Sequence, residues 1–117
     1  MVEFAMGYYH NKGVFVGRDG VLISAVENRT TLSEEDILPG VAEGLKRFRD
    51  LGFKVFMVTH QPMIANGILS ESKVEDLHCN LVYFISQLDE NAVLDGLYTC
   101  PNDPNGTEAD YTQDSEC

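Results

Sequence analysis

Long apolar runs are missing from this 117-residue chain. The longest extend for about five or six residues, where a membrane-spanning helix needs roughly 20. The opening stretch MVEFAMGYYHNKG also lacks the basic start and apolar run of an export signal. These absences argue against a membrane protein and a secreted one, so the expected location is the cytoplasm. Basic residues are scarce as well: 8 Lys and Arg stand against 19 Asp and Glu, a formal net charge of −11. A surface of that sign repels a phosphate backbone, which excludes nucleic acid as the expected partner. Cysteine is limited to Cys79, Cys100 and Cys117. An odd number without an export signal argues against a disulfide framework and leaves metal ligation or a plain buried thiol. With no repeat or linker, and with 44% apolar and 23% charged residues, the chain reads as one globular domain over 1–117.

What is present is an alternation of strand and helix. Val14-Phe15-Val16 and Lys54-Val55-Phe56-Met57-Val58-Thr59 are short apolar runs of the kind found in strands of a parallel sheet. Between them Val41, Leu45, Phe48 and Leu51 recur with a helical period, opened by Pro39 and closed by Gly52. A second helix places Val74, Leu77, Leu81, Phe84, Ile85 and Leu88 on one face, with either Ser72 (boxed with Glu75) or Ser70 as its cap. Cys79 falls inside that helix and is expected to be a small buried residue. Val93-Leu94-Asp95-Gly96-Leu97-Tyr98 then predicts a third strand, and right-handed crossovers give a small parallel sheet in the order 1-2-3. The core spans about residues 13–99. Residues 101–117 carry five acids and no Lys or Arg, which predicts an acidic loop or mobile tail. The long polar stretch from Val21 to Glu35 is a candidate flap over a site.

From about Gly13 to Cys117 the order of residues resembles the haloacid dehalogenase superfamily, and within it the D-glycero-D-manno-heptose-1,7-bisphosphate phosphatases and their histidinol-phosphatase relatives. The segments that carry the likeness are Val14 to Leu22, Leu38-Pro39-Gly40-Val41, Val58 to Gly67 and Leu97 to Pro104. The resemblance implies an α/β, Rossmannoid three-layer fold. It also implies magnesium-dependent phosphoryl transfer through an Asp-x-Asp pattern at the end of the first strand. The first carboxylate of that pattern attacks phosphorus and binds magnesium; here it is Gly17, which offers neither nucleophile nor ligand. Asp19 matches the second, the general acid and base.

Thr59 matches the family's phosphate-holding hydroxyl, and His60, Gln61 and Asn66 complete the candidate phosphate loop. Asn66 replaces the substrate-facing Arg of the family pattern, and Pro62-Met63 replaces its Ser-Gly turn. Thr59 suits a structural strand-end hydroxyl better than a phosphate ligand, and His60 an ordinary loop histidine better than an acid/base group. Cys100 and Cys117 match the first and last ligands of the family's zinc loop, but Asn102 and Ser115 stand at the other two positions. Neither magnesium nor zinc is therefore an expected cofactor, and both stay open as alternatives. The family continues beyond its zinc loop into a catalytic Lys and further magnesium carboxylates, so the chain is expected to be truncated at its C-terminus relative to it.

Together these departures predict a catalytically degenerate phosphatase homologue that acts, if at all, through binding or assembly. The alternative is a sugar-phosphate phosphatase that hydrolyses phosphomonoesters with another nucleophile or a second chain. A remnant without a separate function is the third reading. A phosphate-containing small molecule is the ligand class that the resemblance implies. In the family's strand order, five-four-one-two-three, a chain ending after the third strand leaves the first as an edge. That edge predicts a homodimer or a protein partner at Val14–Val16, unless the stretch Phe4–His10 folds back over it.

Overall fold

A computed structural model describes residues 2–6, 9–103 and 105–108. Strands β1 (Val2–Met6) and β2 (Tyr9–Val16) come first, then helix α1 (Val41–Asp50), strand β3 (Phe53–His60), helix α2 (Glu71–Leu88) and strand β4 (Gly96–Cys100). They form one four-stranded sheet in the order β1-β2-β3-β4. β2, β3 and β4 are parallel neighbours, with Phe15 opposite Phe56 and Val58 opposite Tyr98. The expected parallel order 1-2-3 is therefore present as β2-β3-β4.

β1 is an addition to the expected plan. It pairs antiparallel with β2, from Val2 opposite Gly13 to Met6 opposite Tyr9. The N-terminal stretch thus folds back over the first parallel strand, which corrects the picture of that strand as a bare edge. The cover is incomplete: the β1–β2 register ends at Gly13, so among the described residues the outer edge of Val14–Val16 pairs with nothing.

Both helices pack on one face of the sheet, because successive right-handed crossovers moving in the same direction place their helices on the same side. Leu45 of α1, Leu81 and Ile85 of α2, and Val14, Val55 and Met57 of the strands form a single buried cluster. The described residues thus supply a sheet and one helix layer, two of the three layers in the expected sandwich.

Local chemistry sets the ends of these elements. Ser70, not Ser72, caps α2, its hydroxyl accepting from the Lys73 N–H at 3.2 Å. Gly52 follows α1 in the left-handed region at φ 85°, the conformation that a residue without a Cβ adopts at least cost. Leu51 and Leu88, placed on the apolar faces by periodicity, are exposed because each stands at the end of its helix. Cys79 is likewise exposed and free, which corrects its expected burial: it lies one residue beyond the stripe Val74, Leu77, His78, Leu81 and Ile85. β4 begins at Gly96, later than the apolar run suggests. Val93 and Leu94 lie outside the ladder and the chain bends at Asp95, whose carboxylate takes the place of a ladder carbonyl by accepting from Val55 N–H at 2.8 Å.

The segment expected as a flap is anchored. Leu22 and Ile23 lie in the core, and the buried Arg29 donates to the Ser24 carbonyl at 2.7 Å and the Thr31 carbonyl at 3.1 Å. Arg29 also pairs with Asp36 at 3.0 Å. The Ser33 N–H bond, helped by Arg29, holds the Asp36 carboxyl below its usual pKa. The described part of the acidic tail is also docked. Glu108 N–H bonds the Ala65 carbonyl at 2.7 Å, and a Cβ on Gly106 would sit 2.7 Å from that same oxygen. The rest of the expected mobile tail, including Cys117, lies outside the described residues. No helix among the described residues is long and apolar enough to cross a membrane.

Candidate functional site

The parallel strands end together, and in open α/β sheets the crevice beyond the carboxyl ends of the strands is where ligands bind. β2 ends at Val16 and runs into a tight turn, in which Leu22 and Ile23 N–H both bond the Arg18 carbonyl, at 2.9 and 3.1 Å. Gly20 turns the chain at φ 78°. This turn presents Asp19 to the crevice with its side chain 34% exposed. Beside it the loop after β3 begins with the buried Gln61, whose N–H bonds the Cys100 carbonyl at 2.8 Å and so ties the ends of β3 and β4 together. A groove of about 420 Å³ opens here, lined by Arg18 and Asp19, residues 25–28, and residues 60–63.

The polar side chains form one connected chain. The Gln61 amide donates to the Thr59 hydroxyl oxygen at 2.7 Å and to Asp19 Oδ2 at 3.2 Å. Asp19 accepts from Arg18 Nε at 3.2 Å and Nη2 at 3.1 Å. Arg18 is 2% exposed, and its Nη1 meets His78 Nε2 at 3.2 Å. His78 Nδ1 lies 3.4 Å from the Thr99 hydroxyl. A guanidinium can only donate, so His78 Nε2 accepts and the ring proton sits on Nδ1, facing Thr99. Burial, reinforced by the Arg18 charge, lowers the His78 pKa from 6.5 to about 4, so the ring is neutral at physiological pH.

The expected site residues divide between this network and its surroundings. Asp19, Thr59 and Gln61 come together. His60 points elsewhere, its Nε2 lying 2.6 Å from the Asn102 carbonyl, where the ring N–H donates and ties β3 to the loop after β4. Asn66 donates to Asp103 at 3.4 Å. Gly17 has an ordinary backbone, and a Cβ there would meet only Val21 Cγ2, at 3.7 Å. Neither steric crowding nor backbone conformation requires a glycine at that position.

Of the two cysteines matched to the zinc loop, Cys100 ends β4, and Cys117 lies outside the described residues. Among the described residues no three His, Cys, Asp or Glu side chains gather in a metal-holding group. For magnesium the fit is poor: Asp19 is one carboxylate already engaged by Arg18 and Gln61, and position 17 adds none.

Sequence reasoning missed Arg18 and His78. Their signal was present: His78 falls on the apolar stripe of α2, where a polar ring must find a partner, and Arg18 precedes the motif carboxylate.

No protein-family model matches the chain. Among curated proteins it is 33% identical over 106 residues to a D-glycero-beta-D-manno-heptose-1,7-bisphosphate 7-phosphatase of Haemophilus ducreyi, covering 91% of this chain and 57% of that one. The enzyme of the same name from Haemophilus influenzae is 29% identical over 107 residues, covering 92% and 56%. A solved HAD-like phosphatase structure from Mesorhizobium loti shares the fold at a TM-score of 0.76 and 19% identity, over 90% of this chain and 49% of that one. In sequence the chain is similar to these phosphatases, and its fold is that of HAD-like phosphatase structures. It spans a little over half the length of the curated relatives it matches. The D,D-heptose 1,7-bisphosphate phosphatase of B. bronchiseptica, solved with magnesium and phosphate, shares the fold at a TM-score of 0.68 and 23% identity, over 80% of this chain and 52% of that one. The chain thus shares the fold of these structures and has glycine at position 17, where the resemblance places the nucleophile.

Proposed function

We propose that this chain is a haloacid-dehalogenase-like domain that does not turn over phosphomonoesters by itself and acts through binding or assembly. The observation that carries this reading is Gly17. The turn that would present a nucleophile is folded, there is room for a side chain, and none is there. The surroundings agree. Asp19, the remaining motif carboxylate, is held by Arg18 and Gln61, and an acid/base group beside no nucleophile has no proton transfer to assist.

The groove also lacks the charge that a phosphate ester needs. Among the described residues its one Arg or Lys is Arg18, which is buried and paired, whereas Asp19 and Glu27 are both exposed. A dianion entering there would meet like charge with no free cation to offset it.

The relatives' names favour a second reading, a phosphatase acting on sugar bisphosphates whose nucleophile comes from another chain or from further polypeptide. Phosphate release from heptose bisphosphate and other sugar phosphates, with magnesium present, separates the two. The first reading expects the chain and its Asp19→Ala variant to release phosphate at the same background rate. Release that Asp19→Ala abolishes would overturn it in favour of the second.

A further inference from the structure

β4 is an outer strand of the sheet. On its inner side the Cys100 carbonyl accepts from Gln61 N–H at 2.8 Å, and Met57 and Thr59 stand opposite Leu97 and Thr99. Backbone groups alternate in direction along a strand. Gly96, Tyr98 and Cys100 therefore turn theirs toward β3, and Leu97 and Thr99 turn their N–H and C=O outward. Among the described residues no backbone group pairs with these outward ones. Strand edges are commonly blunted by Lys, Pro or an inward charge. β4 reads Gly-Leu-Tyr-Thr-Cys and carries none of them. The described continuation of the chain leads away from this edge, because the Asn102 carbonyl accepts from the His60 ring at 2.6 Å and Glu108 N–H bonds the Ala65 carbonyl at 2.7 Å. Strands added in the order the resemblance implies, five-four-one-two-three, join beyond β2 and leave β4 outermost.

A cavity of about 560 Å³ lies beside this edge, between β4 and α2. Leu97 and Thr99 line it from the strand, and Val74 and Val82 from the helix. A segment laid along β4 points alternate side chains to the same side as Leu97 and Thr99, which is into the cavity. Edge and cavity thus make one site, in which main-chain bonds hold the segment and the cavity reads every second side chain. Charge selects the occupant. Among the described residues the charged groups lining the cavity are Glu71 and Glu75, both exposed, with no Lys or Arg. A second copy of the chain brings the same two carboxylates and a net charge of −11. Residues 109–117 bring Asp110, Asp114 and Glu116. An extended segment of another protein, with apolar side chains flanked by Lys or Arg, complements both the apolar wall and the acids.

We propose that the outer edge of β4 and the cavity under it bind a basic, extended peptide segment of another protein as an added strand. The proposal rests on the reading of the chain as a binding domain and names its partner by chemistry.

The probe is the peptide Lys-Thr-Val-Thr-Val-Thr-Lys, blocked at both ends, which places both Val and both Lys on one face. Titrated into the full chain and followed by NMR, it should bind one-to-one and saturably, and slow hydrogen exchange at the Leu97 and Thr99 amides at least about tenfold. N-methylation of alternate peptide residues separates strand pairing from charge attraction. One methylated set should lose binding by at least about tenfold and the other should keep it, because only one set of amides faces the edge. Glu75→Lys should weaken the peptide at least about tenfold, whereas Glu43→Lys, the same change of charge at an exposed position on α1, should leave it within about twofold. Binding that does not saturate, equal loss from both methylated sets, or indifference to Glu75→Lys overturns the proposal. Protection of Leu97 and Thr99 in the free chain overturns it as well: protection independent of concentration assigns the edge to the chain's own polypeptide, and protection that rises with concentration assigns it to a second copy. Phosphate release is measured separately, so a chain that neither binds the peptide nor turns over substrate removes this site alone, and a chain that does both removes the nucleophile-free reading alone.

Discussion

The guanidinium of Arg18 joins two elements that lie far apart in sequence, donating to Asp19 in its own turn and to His78 on α2. Replacing it with Met leaves His78 Nε2 without a donor and Asp19 without its counter-charge. Because a buried acceptor stranded in this way keeps its desolvation cost, the loss should be about 2–4 kcal/mol in urea unfolding. His78 gives the network a pH dependence. Its pKa falls from 6.5 to about 4 on folding, so between those values the unfolded chain binds a proton that the folded chain does not. Stability is then intact above pH 6.5 and declines as the pH drops toward 4, by ~1–2 kcal/mol after allowing for partial solvation. His78→Gln should flatten that decline in urea titrations at stepped pH, and an unchanged slope would contradict the assignment. At position 17 a Cβ would make only an ordinary van der Waals contact with Val21, which predicts that Gly17→Asp folds with its melting temperature nearly unchanged. Gly17, Asp19 and Thr59 were legible in the sequence because their motifs are contiguous. The Arg18–His78 contact was not, since it spans 60 positions and only the packing of α2 on the sheet creates it.

Among the elements, α2 and the three parallel strands could be read from periodicity, because burial on one helix face and in a parallel sheet leaves a direct imprint on residue order. The start of β4 could not. Val93 and Leu94 are apolar because they approach the core, while Asp95 ends that approach and supplies a side-chain oxygen to the ladder. β1 was hidden for a different reason: a pairing strand at the edge of a sheet needs no distinctive pattern of its own, and only the prospect that Phe4–His10 folds back over the edge pointed to it. The tail shows how composition misleads. Its acids suggest solvent, yet Gly106 lets the backbone lie against Ala65 closely enough for the Glu108 N–H to bond it. Gly106→Ala should therefore push this segment off, at a cost of about 1–2 kcal/mol, and the Glu108 amide should exchange its hydrogen faster. Unchanged exchange at Glu108 would show that the segment is held by something else.

At the scale of the whole molecule, the proposed reading is of a parallel sheet with one helix layer whose strand-end turn holds Asp19 beside Thr59 and has glycine at position 17. A shared scaffold does not carry an activity once the group that performs it is gone. The chain covers a little over half of the relatives named as heptose bisphosphate phosphatases, so the comparison concerns that part of them. The central claim is chemical: no side chain in this groove attacks phosphorus. Its most direct measurement is the intact mass of the chain after incubation with magnesium and a sugar bisphosphate and rapid quenching in acid, which preserves an acyl phosphate. The account predicts the unmodified mass alone. A population heavier by one phosphoryl group, removed by hydroxylamine and absent from the Asp19→Ala variant, would show that Asp19 has taken the nucleophile's place and would contradict it.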